Sequence, residues 1–213
     1  MTHIAVIDYG MGNLRSVSKA LEAVANGVPV EVTADPDRIL TASHIVFPGV
    51  GAIRDCVTEL KRLGLDAVIR DAAKSKPFLG ICLGMQALLS HSEENNGIDG
   101  LGLIDGNVLH FDVPASDKGE HLKVPHMGWN QVHQTSTHPL WQGIEQDSRF
   151  YFVHSYYVEA EDQAVVAATT EYPNIFTSAV AKDNVFAVQF HPEKSHHAGL
   201  KLLENFLNWN GQV

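Results

Sequence analysis

The sequence predicts an α/β fold, a three-layer α/β/α arrangement around a mixed, mostly parallel central sheet with a β-rich second half. Three observations lead there. The first half alternates short apolar runs with helical periodicity, and strand patterns dominate the second half. No composition break, internal repeat or Pro/Ser-rich linker divides the 213 residues, so one domain spanning residues 1–213 is expected. With 45% hydrophobic residues, such a chain can bury a substantial core.

Taken in order, residues 4–7 read as a strand, 14–25 as a helix, 28–32 and 44–47 as strands, and 53–74 as one or two helices. Residues 77–82 form the next strand, and 85–89 lie on the helix after it. This alternation is the βαβ signature of a parallel sheet. Residues 101–111, 149–160, 164–170 and 176–190 are β-rich, the last broken by Lys182-Asp183-Asn184 as a hairpin turn. A helix over 197–209 closes the chain, with Ser195 as its N-cap. The polar stretches 92–100 and 115–120 are of loop length.

A formal charge of −10 and a pI near 5.6 argue against nucleic acid, whose phosphates call for clustered Lys and Arg. The N-terminus runs straight into a strand pattern without a basic leader, and no apolar run approaches the ~20 residues of a membrane span. A soluble, cytoplasmic protein is expected, with no membrane partner. Its two cysteines are then free thiols, each needing its own explanation. Twelve histidines include no zinc spacing, and neither a metal nor a cofactor is expected.

Cys82 lies in Gly80-Ile81-Cys82-Leu83-Gly84, which follows the logic of the G-x-S-x-G nucleophile elbow. A strand ends there in a tight turn that lifts the nucleophile to a helix N-terminus, where the dipole favours thiolate. On the pentapeptide alone, a small buried residue packed under a helix remains the alternative. Cys56, within an apolar helical repeat and without flanking glycines, reads as core.

A cysteine hydrolase also needs a base and a group that orients the base. His191 and Glu193 fit, since a strand ends in His191-Pro192-Glu193 and residues two apart in extended backbone face one side. Pro48-Gly49-Val50-Gly51, directly after the 44–47 strand, offers backbone N–H groups for an oxyanion, as does the amide of Leu83. An ordinary βα turn is the bland alternative for that glycine-rich segment.

These three motifs, in this order, resemble a triad-type (class I) glutamine amidotransferase. The opening Asp8-Tyr9-Gly10-Met11-Gly12-Asn13-Leu14-Arg15-Ser16-Val17, Pro125-His126-Met127-Gly128-Trp129-Asn130 and Phe152-Val153-His154-Ser155-Tyr156-Tyr157 narrow the likeness to the glutaminase subunits of imidazole glycerol phosphate synthases. The resemblance covers essentially the whole chain and implies a flavodoxin-like class I glutaminase fold. It implies a γ-glutamyl thioester on Cys82, His191 as general base and then acid, and Glu193 as its orienter. Gly49, Val50, Gly51 and Leu83 would surround the oxyanion. Gln86, Glu94, Ser155 and Tyr156 would hold the amino-acid end of glutamine, with Glu93 as the alternative to Glu94. The implied partner is a (β/α)₈ cyclase subunit, forming a heterodimer that uses the ammonia to make imidazole glycerol phosphate and aminoimidazole carboxamide ribotide for histidine biosynthesis. Asn13, Met127, Trp129 and Lys194 would face that partner; the alternative is core packing for Met127 and Trp129 and plain surface for Lys194.

Other readings compete. Gly10-Met11-Gly12 after the first strand, with Glu31 19 residues beyond Gly12, suggests a dinucleotide-binding module, but Arg15 stands where the third glycine belongs. A silent interaction subunit is disfavoured by the complete set of triad residue types. A glutaminase serving anthranilate, guanine nucleotide or pyridoxal phosphate synthesis is disfavoured only by the narrower segments.

Overall fold

The computed structural model describes residues 2–112 and 123–212, so the polar stretch 115–120 lies outside the described residues. Strand β1 (Ile4–Ile7) leads into α1 (Leu14–Val24), and β2 (Val30–Thr33) into a short helix, α2 (Pro36–Thr41). β3 (His44–Gly49) is followed by α3 (Ile53–Leu63) and α4 (Leu65–Ala72), then by β4 (Phe78–Cys82) and α5 (Leu83–Ala87). The remaining strands are β5 (Leu89–Ser92), β6 (Ile98–Asp99), β7 (Ile104–His110), β8 (His126–Gln131), β9 (His133–Gln134), β10 (Arg149–His154) and β11 (Tyr156–Ala160). After β12 (Val166–Glu171), β13 (Ile175–Lys182) and β14 (Val185–Val188), helix α6 (His196–Asn208) ends the chain.

The main sheet runs β2-β1-β3-β4-β14-β13-β11-β7-β5-β6, with β12 and β9 added beyond β13. Its first five strands pair in parallel, whereas β14-β13-β11-β7 are antiparallel. This is the mixed sheet expected from the sequence. The apolar runs of β1 and β3 divide by alternation. Ala5, Ile7, Ile45 and Phe47 pack on the side of α2, α3 and α4; Ile4, Val6 and Val46 pack on the side of α1 and α6. Both faces of β1 and β3 are therefore dry, which gives three layers. Among the described residues, no helix is long and apolar enough to cross a membrane.

Several local expectations are corrected. Residues 36–41 are helical, because Asp35 accepts from the N–H groups of Asp37 and Arg38 and Pro36 occupies the first turn. The 53–74 segment, expected as one or two helices, is two, broken at Gly64, whose φ of +68° ends α3. The helix expected over 85–89 stops at Ala87, and Leu89 already belongs to β5, which pairs with β7. The second strand begins at Val30 rather than at residue 28. The 149–160 stretch is two strands, because β10 leaves the main sheet to pair with β8, itself not anticipated as a strand. Ser195 stands at the N-cap of α6 without capping it: its hydroxyl donates to the carbonyl of His191 at 2.6 Å and accepts from the Tyr151 N–H at 3.0 Å. The hydroxyl thus fixes the backbone of His191 instead of the helix end.

Candidate active site

Three neighbouring parallel strands bring the motifs to one sheet edge. Gly49 at the end of β3 is paired with Cys82 at the end of β4, and Val188 at the end of β14 with Ile81. The chain just beyond each strand, the Pro48–Gly51 segment, Cys82 and residues 189–193, therefore converges where open parallel sheets build their sites.

Cys82 has φ +54° and ψ −111°, a conformation that non-glycine residues rarely adopt and that persists only where the surroundings enforce it. The enforcement comes from packing. A Cβ on Gly84 would lie 1.9 Å from the Phe47 carbonyl oxygen, and one on Gly80 would lie 3.0 Å from the Ala187 Cβ. The flanking glycines are thus a consequence of how closely the elbow presses on β3 and β14. The Cys82 sulfur accepts from Gln189 Nε2 at 3.7 Å, and its thiol faces the Val153 carbonyl at 4.0 Å.

His191 is buried, and its Nδ1 lies 2.9 Å from Glu193 Oε1. That contact places a ring proton on Nδ1 and leaves Nε2 facing away from Glu193. The route to this geometry differs from the one expected: Pro192–Lys194 is a 3₁₀ turn, not extended strand, so Glu193 folds back beneath the ring. Proline suits the first position of such a turn. Nε2 makes no hydrogen bond of standard geometry, yet the sulfur is close enough to act on it. Burial works against an imidazolium here, but the charge that develops on Cys82, with Glu193 behind, outweighs it and raises His191 to about 10. The buried Cys56 behaves differently, its thiol pushed up to about 12 chiefly by burial.

A cavity of about 330 Å³ opens over the sulfur. Val50, Gly51, Leu83, Gln86, Glu94, Ser155 and Tyr156 line it together with Cys82 and His191. Gly49 does not; it lies beneath, where a Cβ would come within 2.5 Å of the Tyr9 hydroxyl. Glu94 lines the cavity while its Oε2 accepts from the Ile53 N–H at 3.0 Å, at the start of α3. Glu93 does not line it and accepts instead from the backbone N–H of His110. Pro125, Val153 and His154 also line it, and Gln189 touches the sulfur. No role had been read for these four, although burial of alternate residues Phe150, Phe152 and His154 on β10 is a strand signal that marks His154 as inward-facing. A larger hollow of about 700 Å³ beside Trp141 holds no cysteine, so chemistry and not volume selects the site.

The four remaining residues stay outside the cavity. Met127 (62% exposed) and Trp129 (41% exposed) point outward from β8, which rules out core packing for both. Trp129 stacks on His196, with ring centroids 5.0 Å apart, and Lys194 lies 5.7 Å over Tyr151, the cross-strand neighbour of Trp129. Asn13 begins α1, which packs against the Pro192–Lys194 turn. Elsewhere, the Glu31 carboxylate is held by Arg38, which removes the group a dinucleotide ribose would need.

The family model for class-I glutamine amidotransferases matches residues 5–209. The chain belongs to the class-I glutamine amidotransferases. It is 61% identical over 211 residues to the imidazole glycerol phosphate synthase subunit HisH of Nitrosococcus oceani, covering 99% of each chain. It is 60% identical to the subunit of the same name from Nitrosospira multiformis, covering 98% of this chain and 99% of that one. In fold, this amidotransferase resembles PurLQS of Thermotoga maritima (TM-score 0.72, 20% identity, 97% and 98% of the two chains). It also resembles the glutaminase domain of Trypanosoma brucei CTPS (TM-score 0.65, 18% identity, 97% and 92%).

Proposed function

We propose that this chain is the glutaminase subunit of an imidazole glycerol phosphate synthase, working as a single domain over residues 1–213. The observation that carries the proposal is the strained Cys82 beside the buried His191–Glu193 pair at one cavity, in a chain about 60% identical to subunits of that name. The thiol proton passes to His191 Nε2, and sulfur attacks the carboxamide carbon of glutamine. The amides of Val50 and Leu83 face the resulting oxyanion, with Gly49 and Gly51 shaping the loop that presents them. Collapse expels ammonia with the proton returned by His191, and water then hydrolyses the thioester to release glutamate. Glu193 holds Nδ1–H throughout. Gln86, Glu94, Ser155 and Tyr156 hold the amino-acid end, with Glu94 directed at the substrate ammonium.

The ammonia goes to a (β/α)₈ cyclase subunit in a heterodimer, docked on the patch formed by Met127, Trp129 and Lys194 with Asn13 nearby. Exposed aromatic and thioether side chains of this kind supply interface anchors. Transfer without release is chemically sensible, because ammonia in neutral water becomes ammonium and loses its lone pair. Free buried thiols at Cys56 and Cys82 fit the reducing cytoplasm. The test is reconstitution with the cyclase. Cys82→Ala should abolish glutamine-dependent synthesis while synthesis from ammonium salts persists; loss of both would return Cys82 to a structural role.

A further inference from the structure

We propose that Gln189 is a catalytic residue of this site, its carboxamide donating an N–H to the Cys82 sulfur and holding the thiolate that attacks glutamine. The proposal rests on the reading of Cys82 as nucleophile.

Gln189 follows β14, is completely buried, and places Nε2 3.7 Å from the sulfur. A carboxamide can be turned end for end, so its polarity has to be read from its partners. The Tyr156 carbonyl can only accept, which means that the end of Gln86 facing it at 3.0 Å is the NH₂. The same nitrogen faces Gln189 at 2.9 Å, so Gln189 presents its oxygen there. Its NH₂ is left for the sulfur. A backbone group thus fixes the direction of every hydrogen bond in the series.

The carbonyl at the head of this series is itself held from a second side. His154 Nδ1 lies 2.7 Å from Tyr156 O and must carry the proton, so its Nε2 accepts from His126 Nδ1 at 2.9 Å. His126 Nε2 in turn accepts from Asn130 at 3.2 Å. Burial keeps both rings neutral, with His126 lowered to about 4 and His154 to about 3. A neutral, fully directed network therefore ends on the reacting atom.

When the thiol proton moves to His191 Nε2, the negative charge left on sulfur turns the Gln189 N–H···S contact into a charge-assisted bond. That favours the thiolate before attack and relaxes once the S–C bond forms. Part of the gain is offset because a more stabilised thiolate is a weaker nucleophile. The titratable groups around the sulfur are His191 backed by Glu193, His154, Glu94 and Tyr156 in the cavity lining, and the Tyr9 phenol beneath. A neutral substitution leaves the charge on all of them unaltered.

Gln189→Met keeps chain length and volume and removes the donor to sulfur together with the oxygen that accepts from Gln86. The readout is the pH dependence of Cys82 alkylation by iodoacetamide on the full chain, followed by peptide mass with buried Cys56 as the internal control. The midpoint should rise by about one pH unit, with a several-fold lower rate at neutral pH. In the reconstituted enzyme kcat should fall about fivefold while KM for glutamine stays within about threefold, since the donor meets sulfur and not substrate. Gln86→Met leaves the donor present but no longer aimed, and should move the alkylation midpoint the same way by less; it decides the matter if Gln189→Met does not fold. Midpoints unchanged in the folded variants would overturn the role of Gln189. Glutamine turnover by Cys82→Ala would instead overturn the nucleophile itself.

Discussion

At the scale of single residues, the two cysteines carry the same thiol and differ in everything that decides its reactivity. Cys82 sits at a helix N-terminus with a positive φ, against an imidazole and an amide donor. Cys56 sits in the middle of the core with its thiol pushed up by burial. Brief iodoacetamide treatment of the native protein should therefore label Cys82 and spare Cys56, and equal labelling would contradict the assignment. His191 separates into two functions at its two nitrogens, since Nδ1 is committed to Glu193 and Nε2 is not. Glu193→Gln should keep the fold yet lower kcat by on the order of 10³–10⁴, because the amide can hold the ring in the wrong tautomer, as known for orienting carboxylates in triads. A loss below tenfold in the reconstituted enzyme would count against the pair.

At the scale of elements, the sequence made the βα units readable because the apolar runs of β1, β3 and β4 are short and buried on both faces. What it concealed was where chains meet. The β8–β10 ribbon joins residues far apart in sequence, and β8 reads poorly because its outward positions carry Met127 and Trp129 rather than polar side chains. The elbow was legible from its glycines; the residues that support it were not, since Gln189 and Gln86 meet through tertiary packing alone. The 3₁₀ turn at Pro192–Lys194 likewise replaced an expected extended end, although the two side chains still met. Gly84 gives the element its sharpest test. A methyl group there would collide with the Phe47 carbonyl, so Gly84→Ala should destabilise the protein by about 1–3 kcal/mol and reduce Cys82 alkylation. A denaturation midpoint equal to that of the parent would show that β3 can give way. On the outer face, Met127→Ala combined with Trp129→Ala should leave thermal stability nearly unchanged, while weakening cyclase binding tenfold or more, on the order of a hot-spot loss. Calorimetric titration with the cyclase measures this directly.

At the scale of the whole molecule, the core holds more titratable groups than the chemistry uses, and they set how the fold responds to acid. Burial lowers His126 and His138 to about 4 and His154 to about 3, against roughly 6.5 in an unfolded chain. Between those limits the unfolded state binds protons that the folded state refuses, so unfolding is favoured as pH falls. The stability tied to these rings is fully present above about 6.5 and is lost as pH drops toward 4. His191 lies outside this window: its raised pKa means that its contribution is fully present below about 6.5 and is lost progressively as pH climbs from there to about 10. His126 and His154 share one network, but His138 stands apart, with Nδ1 accepting from the Leu140 N–H at 3.2 Å and its ring against Phe186 and Trp209. That separation makes it the ring to change. Carboxylates titrate mainly below the upper half of the window, so the slope of the unfolding free energy between pH 6.5 and 5 belongs chiefly to the imidazoles. His138→Gln should lower the slope there by up to about one proton, since a glutamine takes up none. Equal slopes for the two proteins in urea melts across that range would mean that the buried ring is protonated in the folded state after all.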